Sequence, residues 1–176
     1  MNTQKFDVIV IGGGASGLFL ASQLPPSMRV AVVESNERVG KKLLATGNGK
    51  CNLTNLDMNI VHYNKPSFVE SFLDRFDAHD TIATFEKMGL VTKVIDKRVY
   101  PYSECASTVL DVLRKALERN ATQVFTSHFV NSVESFNDAF TVSGIVKVEG
   151  KPNQSFAYDS DVVVLATGSP VAFRAT

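Results

Sequence analysis

Cysteine is scarce in this chain. Cys51 and Cys105 are the two it has, too few for a disulfide framework, and a reducing cytoplasm is the expected compartment. An excess of charge of one sign is also lacking. Lys+Arg and Asp+Glu are both 18 and the net charge is zero, so no whole-chain field draws the protein to nucleic acid or to a membrane. No apolar run approaches the roughly 18 residues of a membrane span, and no basic segment followed by an apolar stretch and a cleavage site opens the chain. No nucleic-acid partner and no membrane are therefore expected. His62, His79 and His128 have no metal-ligand spacing among themselves or with the cysteines, so no metal is expected and they read as surface or satisfied residues. Internal repeats, low-complexity tracts and an obvious interdomain linker are absent as well.

What remains fits a globular domain. Apolar residues make up 44% and charged residues 20%, near the globular average. The most informative stretch is residues 6–17, FDVIVIGGGASG. An apolar run, Val8 to Ile11, meets a turn with Gly12, Gly14 and Gly17 in G-x-G-x-x-G spacing. Glu34 follows Gly14 by 20 residues, at the end of a second apolar run, Val30 to Val33. Strand, glycine turn, helix, strand and acid form the dinucleotide-binding fingerprint in its proper context. Gly12 permits the tight turn, Gly14 lets a pyrophosphate approach the backbone, and Gly17 lets the helix pack close to the sheet. Ala15 and Ser16 open a helix expected to run to about Leu24, with its free N–H groups and positive dipole end toward the phosphates. Pro25 and Pro26 stop it. Glu34 is placed to accept hydrogen bonds from an adenosine ribose, each bond to a charged acceptor contributing roughly 1.5–3 kcal/mol.

The fingerprint does not choose between NAD and FAD. After Glu34 comes SNERVGKKLLATGNGKCNLTN, a long polar loop where a nicotinamide domain would normally enter its next helix. Long loops in compact domains are usually functional or disordered. Its glycines allow close approach, and its lysines can offset phosphate charge. Near the other end, residues 161–168 read DVVVLATG, a third buried strand ending in Ala166, Thr167 and Gly168, whose small size lets a ligand or backbone come close.

IGGGASG, VESNERVGKKLLATGNGKCNLTN and VVLATG together resemble the N-terminal FAD-binding part of the BaiN/YhiN-like flavoproteins, also called NAD(P)/FAD-dependent oxidoreductases or the aminoacetone oxidase family. The GKKLLATGNGKCNLTN block is the specific part. Arg98-Val99-Tyr100-Pro101-Tyr102-Ser103 is similar to a further element of that family, with Lys97 where Gly is common. The resemblance implies FAD as cofactor, NAD(P)H as an electron donor or dioxygen as acceptor, and oxidation or reduction of a small organic substrate. It also implies that Asn48, Gly49, Lys50, Cys51, Asn52 and Thr54 lie in a loop that reaches toward the flavin. For Lys41 and Lys42 cofactor contact and a solvated loop face both stand, and for Arg98 and Ser103 a pocket lining and a hairpin role. Fold analogy places the Val130 backbone near the adenine. Cys51 has no second cysteine with which to form an exchangeable pair and reads as a loop-packing residue. No protein base or nucleophile is evident; the chemistry would be the flavin's.

Members of that family are typically about twice this length, as two domains would require. Ser169 stands where a second Gly is common, and Pro170 to Thr176 do not resemble the usual continuation. The expectation is a truncated chain with its substrate domain missing. Two other readings stay open: a non-catalytic or non-functional FAD-binding fragment, and an NAD-binding regulatory domain, against which the NGKCN loop argues. The oligomeric state is left open.

The fold class expected is α/β: an FAD-type Rossmann-like parallel sheet, from runs at 8–11, 30–33, 123–127 and 162–165, with an antiparallel β-meander. The meander is expected from 140–149 and 155–158, with 131–133 as an extension of the 123–127 strand. Helices are expected at 67–76, 79–88 and 107–120, the last amphipathic through Val109, Leu110, Leu113 and Leu117. Strands are expected at 90–95 and 99–102, the second confined to an edge by Pro101. A small lobe is expected within about 66–105 of a single FAD-binding domain.

Overall fold

The computed structural model describes residues 3–168. Ser169 and Pro170 to Thr176, on which the truncation expectation rests, lie outside the described residues. In chain order the elements are β1 (Gln4–Ile11), α1 (Ala15–Gln23), β2 (Val30–Val33), β3 (Thr54–Asn55), α2 (Pro66–Leu73), α3 (Ala78–Lys87), β4 (Thr92–Ile95), β5 (Arg98–Pro101), α4 (Ala106–Arg119), β6 (Gln123–Phe125), β7 (His128–Phe136), β8 (Ala139–Val146) and β9 (Gln154–Leu165). The chain forms two compact units, one of them Lys42–Leu113, and α4 crosses the boundary between them.

The first unit is organised by a six-stranded sheet in the order β6-β2-β1-β9-β8-β7. β1 and β2 are parallel, Val8 opposite Val30 and Ile11 opposite Val33. β9 lies parallel on the other side of β1, and β6 parallel outside β2. The four apolar runs therefore form the expected parallel sheet. Val8 to Ile11 and Val30 to Val33 are buried without alternation, the pattern of strands covered on both faces. Phe6, Ile9, Ile11, Ala31, Val33 and Val142 make one core cluster. Helix α1 buries Leu18 and Ala21. It ends where Leu24 turns extended, as a residue before proline must. The Asn120 amide donates to the Ser22 and Leu24 carbonyls at that end (3.1 and 2.9 Å), satisfying acceptors that the helix cannot.

The meander differs from expectation in two ways. Residues 155–158 and 162–165 are one continuous strand, β9. Its first half pairs antiparallel with β8, from Gln154 to Ser160, and its second half parallel with β1. One strand thus serves both parts of the sheet, and the polar Asp159-Ser160-Asp161 in its middle hid this. Residues 131–133 do not extend the 123–127 strand. β6 stops at Phe125, and the chain passes Ser127 at φ 58° before entering β7, which pairs antiparallel with β8.

The second unit carries a three-stranded sheet in the order β3-β5-β4. β5 is therefore central, and the expected edge placement is corrected. Pro101 is compatible with this because it lies at the strand's last position, opposite Thr92, while β3 reaches only Arg98 and Val99. The missing N–H costs no bond on the β3 side. α3 begins on a capping box between Asp77 and Asp80, which satisfies orphan N–H groups reciprocally. Gly89, at φ 99°, terminates it as expected. α4 buries Val109, Leu110, Leu113 and Leu117, the four residues its periodicity selects.

Candidate functional site

In the first unit the glycine turn joins the ends of three strands. The Gly12 N–H donates to the Val33 carbonyl and the Ala166 N–H to the Ile11 carbonyl, both at 2.8 Å. This draws the start of the Ala-Thr-Gly segment onto the turn. A Cβ at Gly12 would stand 2.4 Å from the Ala166 carbonyl oxygen, and Gly12 has φ 114°. A Cβ at Gly17 would stand 2.0 Å from the Gly12 carbonyl oxygen. These two glycines are spaces that backbone fills. Gly14 is different: a Cβ there would meet nothing within 4 Å. Its smallness serves no internal packing and leaves open space in front of α1. Ala15 and Ser16 are exposed at that helix end, which has no side-chain cap and no acid in its first turn. Such an end favours an anion.

Glu34 is 8% exposed and tied to the turn. Its Oε2 accepts from the Gly13 N–H at 2.7 Å. Its Oε1 accepts from the Asn36 N–H at 2.7 Å and from the Asn36 amide and Ser35 hydroxyl. Burial works to raise the Glu34 pKa, but the donors from Asn36, Gly13 and Ser35 outweigh it and hold the carboxyl below its ordinary value. It is thus a charged acceptor whose Oε2 keeps a lone-pair position. Gly13 escaped the sequence reading because it is the variable position of G-x-G-x-x-G. It is buried, its carbonyl accepts from the Gly40 N–H at 2.7 Å, and a Cβ would reach 2.6 Å from Val39 Cγ1. Asn36 was missed as well, since nothing in its spacing marks it as the clamp on Glu34.

Beyond Glu34, Ser35, Asn36, Arg38, Lys41, Ser127 and Lys147 line a cleft of about 660 Å³. Val130 lies on β7, half-buried against the core, beside a bulge between Val130 and Ser132. Thr167 and Gly168 are exposed. Residues Gly12 to Gly17, Glu34 and Ala166 are thus brought together, and β7, which carries Val130, begins with the His128 N–H donating to the Glu34 carbonyl at 2.9 Å.

In the second unit, Asn48 and Cys51 join Gly47 and Gly49 at positive φ, so four of five residues are left-handed. The loop is closed by the Cys51 N–H on Thr46 and the Lys50 N–H on Gly47 (both 3.1 Å). In the orientation its neighbours dictate, the Asn52 amide donates to the carbonyls of Thr54 and Val99. Cys51 is buried, and burial pushes its thiol up despite a hydrogen bond with Thr46. That disfavours a reactive thiolate. Lys50 forms an ion pair with Glu104, a residue the sequence reading did not select. Lys42 is exposed beside the loop.

The parallel sheet, the glycine turn and the acid anchored to it define a dinucleotide-binding Rossmann domain. The chain belongs to the HI0933-like protein Rossmann domain family, whose sequence model matches residues 6–173. This agrees with the resemblance, carried by the NGKCN block, to a family of FAD-binding flavoproteins. The chain is 34% identical over 164 residues to the 3-dehydro-bile acid delta(4,6)-reductase of Clostridium scindens, covering 90% of this chain and 38% of that protein. It is 28% identical over 169 residues to the ribosomal RNA dihydrouridine synthase of Haemophilus influenzae, covering 94% and 41%. It therefore spans about two fifths of the length of these relatives. Among solved structures, Thermovibrio ammonificans THI4 superposes with a TM-score of 0.57 at 17% identity, over 93% of this chain and 58% of that one. L-proline dehydrogenase from P. horikoshii gives 0.52 at 19%, over 96% and 24%. These likenesses speak to the fold alone. Among the described residues, no helix is long and apolar enough to cross a membrane, and no group of acidic, His or Cys side chains could hold a metal.

Proposed function

We propose that this chain supplies the FAD-binding part of an oxidoreductase that adds hydrogen across a carbon–carbon double bond of a small organic substrate. The observation that carries the cofactor half is the contrast among the glycines. Gly12 and Gly17 are filled by backbone, whereas Gly14 faces open space at an uncapped helix end. In this reading the pyrophosphate lies against Gly14, Ala15 and Ser16, and a ribose hydroxyl donates to the free position on Glu34 Oε2. The cleft past Asn36 is of ligand-pocket size and takes the adenosine end, with the Val130 backbone toward the base. Thr167 and Gly168 serve as further backbone contacts. The loop carrying Asn48, Gly49, Cys51, Asn52 and Thr54 is proposed as a second cofactor-binding segment, with Lys41 and Lys42 offsetting phosphate charge.

Bound FAD supplies hydride transfer; the protein supplies position and shielding. The substrate half rests on the relatives. The names of both, a delta(4,6)-reductase and a dihydrouridine synthase, describe hydrogen added across a double bond. NAD(P)H is the proposed electron donor. A second reading takes RNA as substrate and is favoured by the names of the Haemophilus and Escherichia coli relatives. The test is to load the protein with FAD, reduce it with NAD(P)H without oxygen, and follow flavin reoxidation. Reoxidation by a 3-oxo-4,6-diene steroid supports the small-molecule reading, and reoxidation only by uridine-containing RNA supports the second. Bound flavin that neither NAD(P)H reduces nor either substrate reoxidises would identify a non-catalytic FAD-binding fragment.

A further inference from the structure

Outside the fingerprint, Glu104 is a carboxylate paired with two lysines. It follows β5 with φ 52°, a conformation that a non-glycine residue adopts only when its surroundings hold it. Its Oε2 accepts from Lys50 Nζ and its Oε1 from Lys93 Nζ, each at 2.5 Å. Lys93 also lies 5.4 Å from the centre of the Tyr102 ring. One carboxylate thus ties the Gly47–Cys51 loop to β4 and to the turn after β5, all within the second unit. The two lysines hold the Glu104 carboxyl down at about 2, so it is charged at neutral pH.

The loop needs such a tie. Four of its five residues are left-handed; glycine and asparagine adopt this readily, but Cys51 has a Cβ that disfavours it. Its own backbone closes it with two hydrogen bonds, of 3.1 Å each, among the described residues. Lys50 sits between Gly49 and Cys51, and its ammonium is already paired. That pairing makes it a poor phosphate clamp and a good anchor.

We propose that Glu104 is a positioning residue for cofactor binding: by holding Lys50 and Lys93 it keeps the Gly47–Cys51 loop in its left-handed conformation. This rests on the reading of that loop as a cofactor-binding segment. The test uses Glu104→Gln, Lys50→Met and the double variant, with two readouts. Hydrogen exchange of the Lys50 and Cys51 amides is measured without cofactor, and FAD affinity is measured by flavin fluorescence at low and high salt. The expected result is loop exchange faster by about 3–5-fold in either single variant, with no further gain in the double. FAD affinity should fall by a similar factor, and the difference from the parent should shrink in 1 M salt, where ion pairs are screened. Unchanged loop exchange in Glu104→Gln, or single effects that add in the double variant, would overturn the clamp. Faster exchange with unchanged FAD affinity would overturn its role for the cofactor and leave the cofactor reading standing. Failure of the parent to bind FAD would overturn the cofactor reading itself.

Discussion

Gly14 and Gly17 differ by three positions and should respond oppositely to added side chains. At Gly14, φ is −80° and ψ −171°, extended backbone that valine accepts readily. A Cβ meets nothing within 4 Å, so Gly14→Val should leave folding stability within about 1 kcal/mol of the parent. The branched side chain instead fills the space proposed for the pyrophosphate. Displacing that group from the helix end should weaken FAD at least ~10-fold, equivalent to about 1.4 kcal/mol. At Gly17 the new Cβ would be 2.0 Å from the Gly12 carbonyl oxygen and 3.2 Å from Val10 Cγ1. Neither the carbonyl nor the buried β1 can give way by an ångström, so α1 must lift from the sheet. Overpacking of this kind costs about 1–3 kcal/mol, and Gly17→Ala should lose that much in urea unfolding. The paired assay is an unfolding curve without cofactor and a flavin titration for each variant. Gly14→Val binding FAD as tightly as the parent would refute the placement of the pyrophosphate. Gly14→Val unfolding as readily as Gly17→Ala would refute the steric distinction itself.

Glu34→Ala should weaken FAD by about 1.5–3 kcal/mol through loss of a charged acceptor, while affinity for flavin mononucleotide, which lacks the adenosine, hardly changes; equal losses in calorimetry would remove Glu34 from the ribose. The same carboxyl has a folded pKa below its ordinary 4.5. Its stabilisation is therefore fully present above about pH 4.5 and is lost as pH falls through the folded value, so Glu34→Gln should flatten the acid limb of a stability–pH curve, and an unchanged slope would contradict this. Cys105 is exposed, and its thiol is lowered by hydrogen bonding with Ser107, whereas Cys51 is buried and raised. Iodoacetamide at neutral pH should label Cys105 first in intact-mass spectrometry, and faster labelling of Cys51 would contradict its burial. Ile9, fully buried at the centre of β1, should cost about 2–5 kcal/mol on replacement by alanine, read from the urea midpoint.

The two central strands of the parallel sheet were legible because Val8 to Ile11 and Val30 to Val33 are short unbroken apolar runs, buried without alternation. The helices were legible from periodicity, to within three residues at either end. β9 was not, because Asp159, Ser160 and Asp161 interrupt its apolar pattern: Ser160 is buried on a hydrogen bond to the Val162 carbonyl, Asp159 takes Thr141, and Asp161 pairs with Lys5. A polar residue satisfied by tertiary partners looks like a turn when those partners are invisible. Gly12, Gly14, Gly17 and Glu34 were legible because their spacing reflects local geometry. Gly13, Asn36 and Glu104 act through neighbours that only the fold supplies, so spacing carried no signal for them.

The central claim is that this domain holds FAD. The most direct measurement is the absorbance spectrum of the purified protein between 350 and 500 nm after saturation with FAD and removal of free ligand, with the retained cofactor released by denaturation and identified. The account predicts two flavin bands, FAD as the released species, and loss of both bands in Gly14→Val. A protein that stays colourless under the same treatment and instead retains NADH would contradict it.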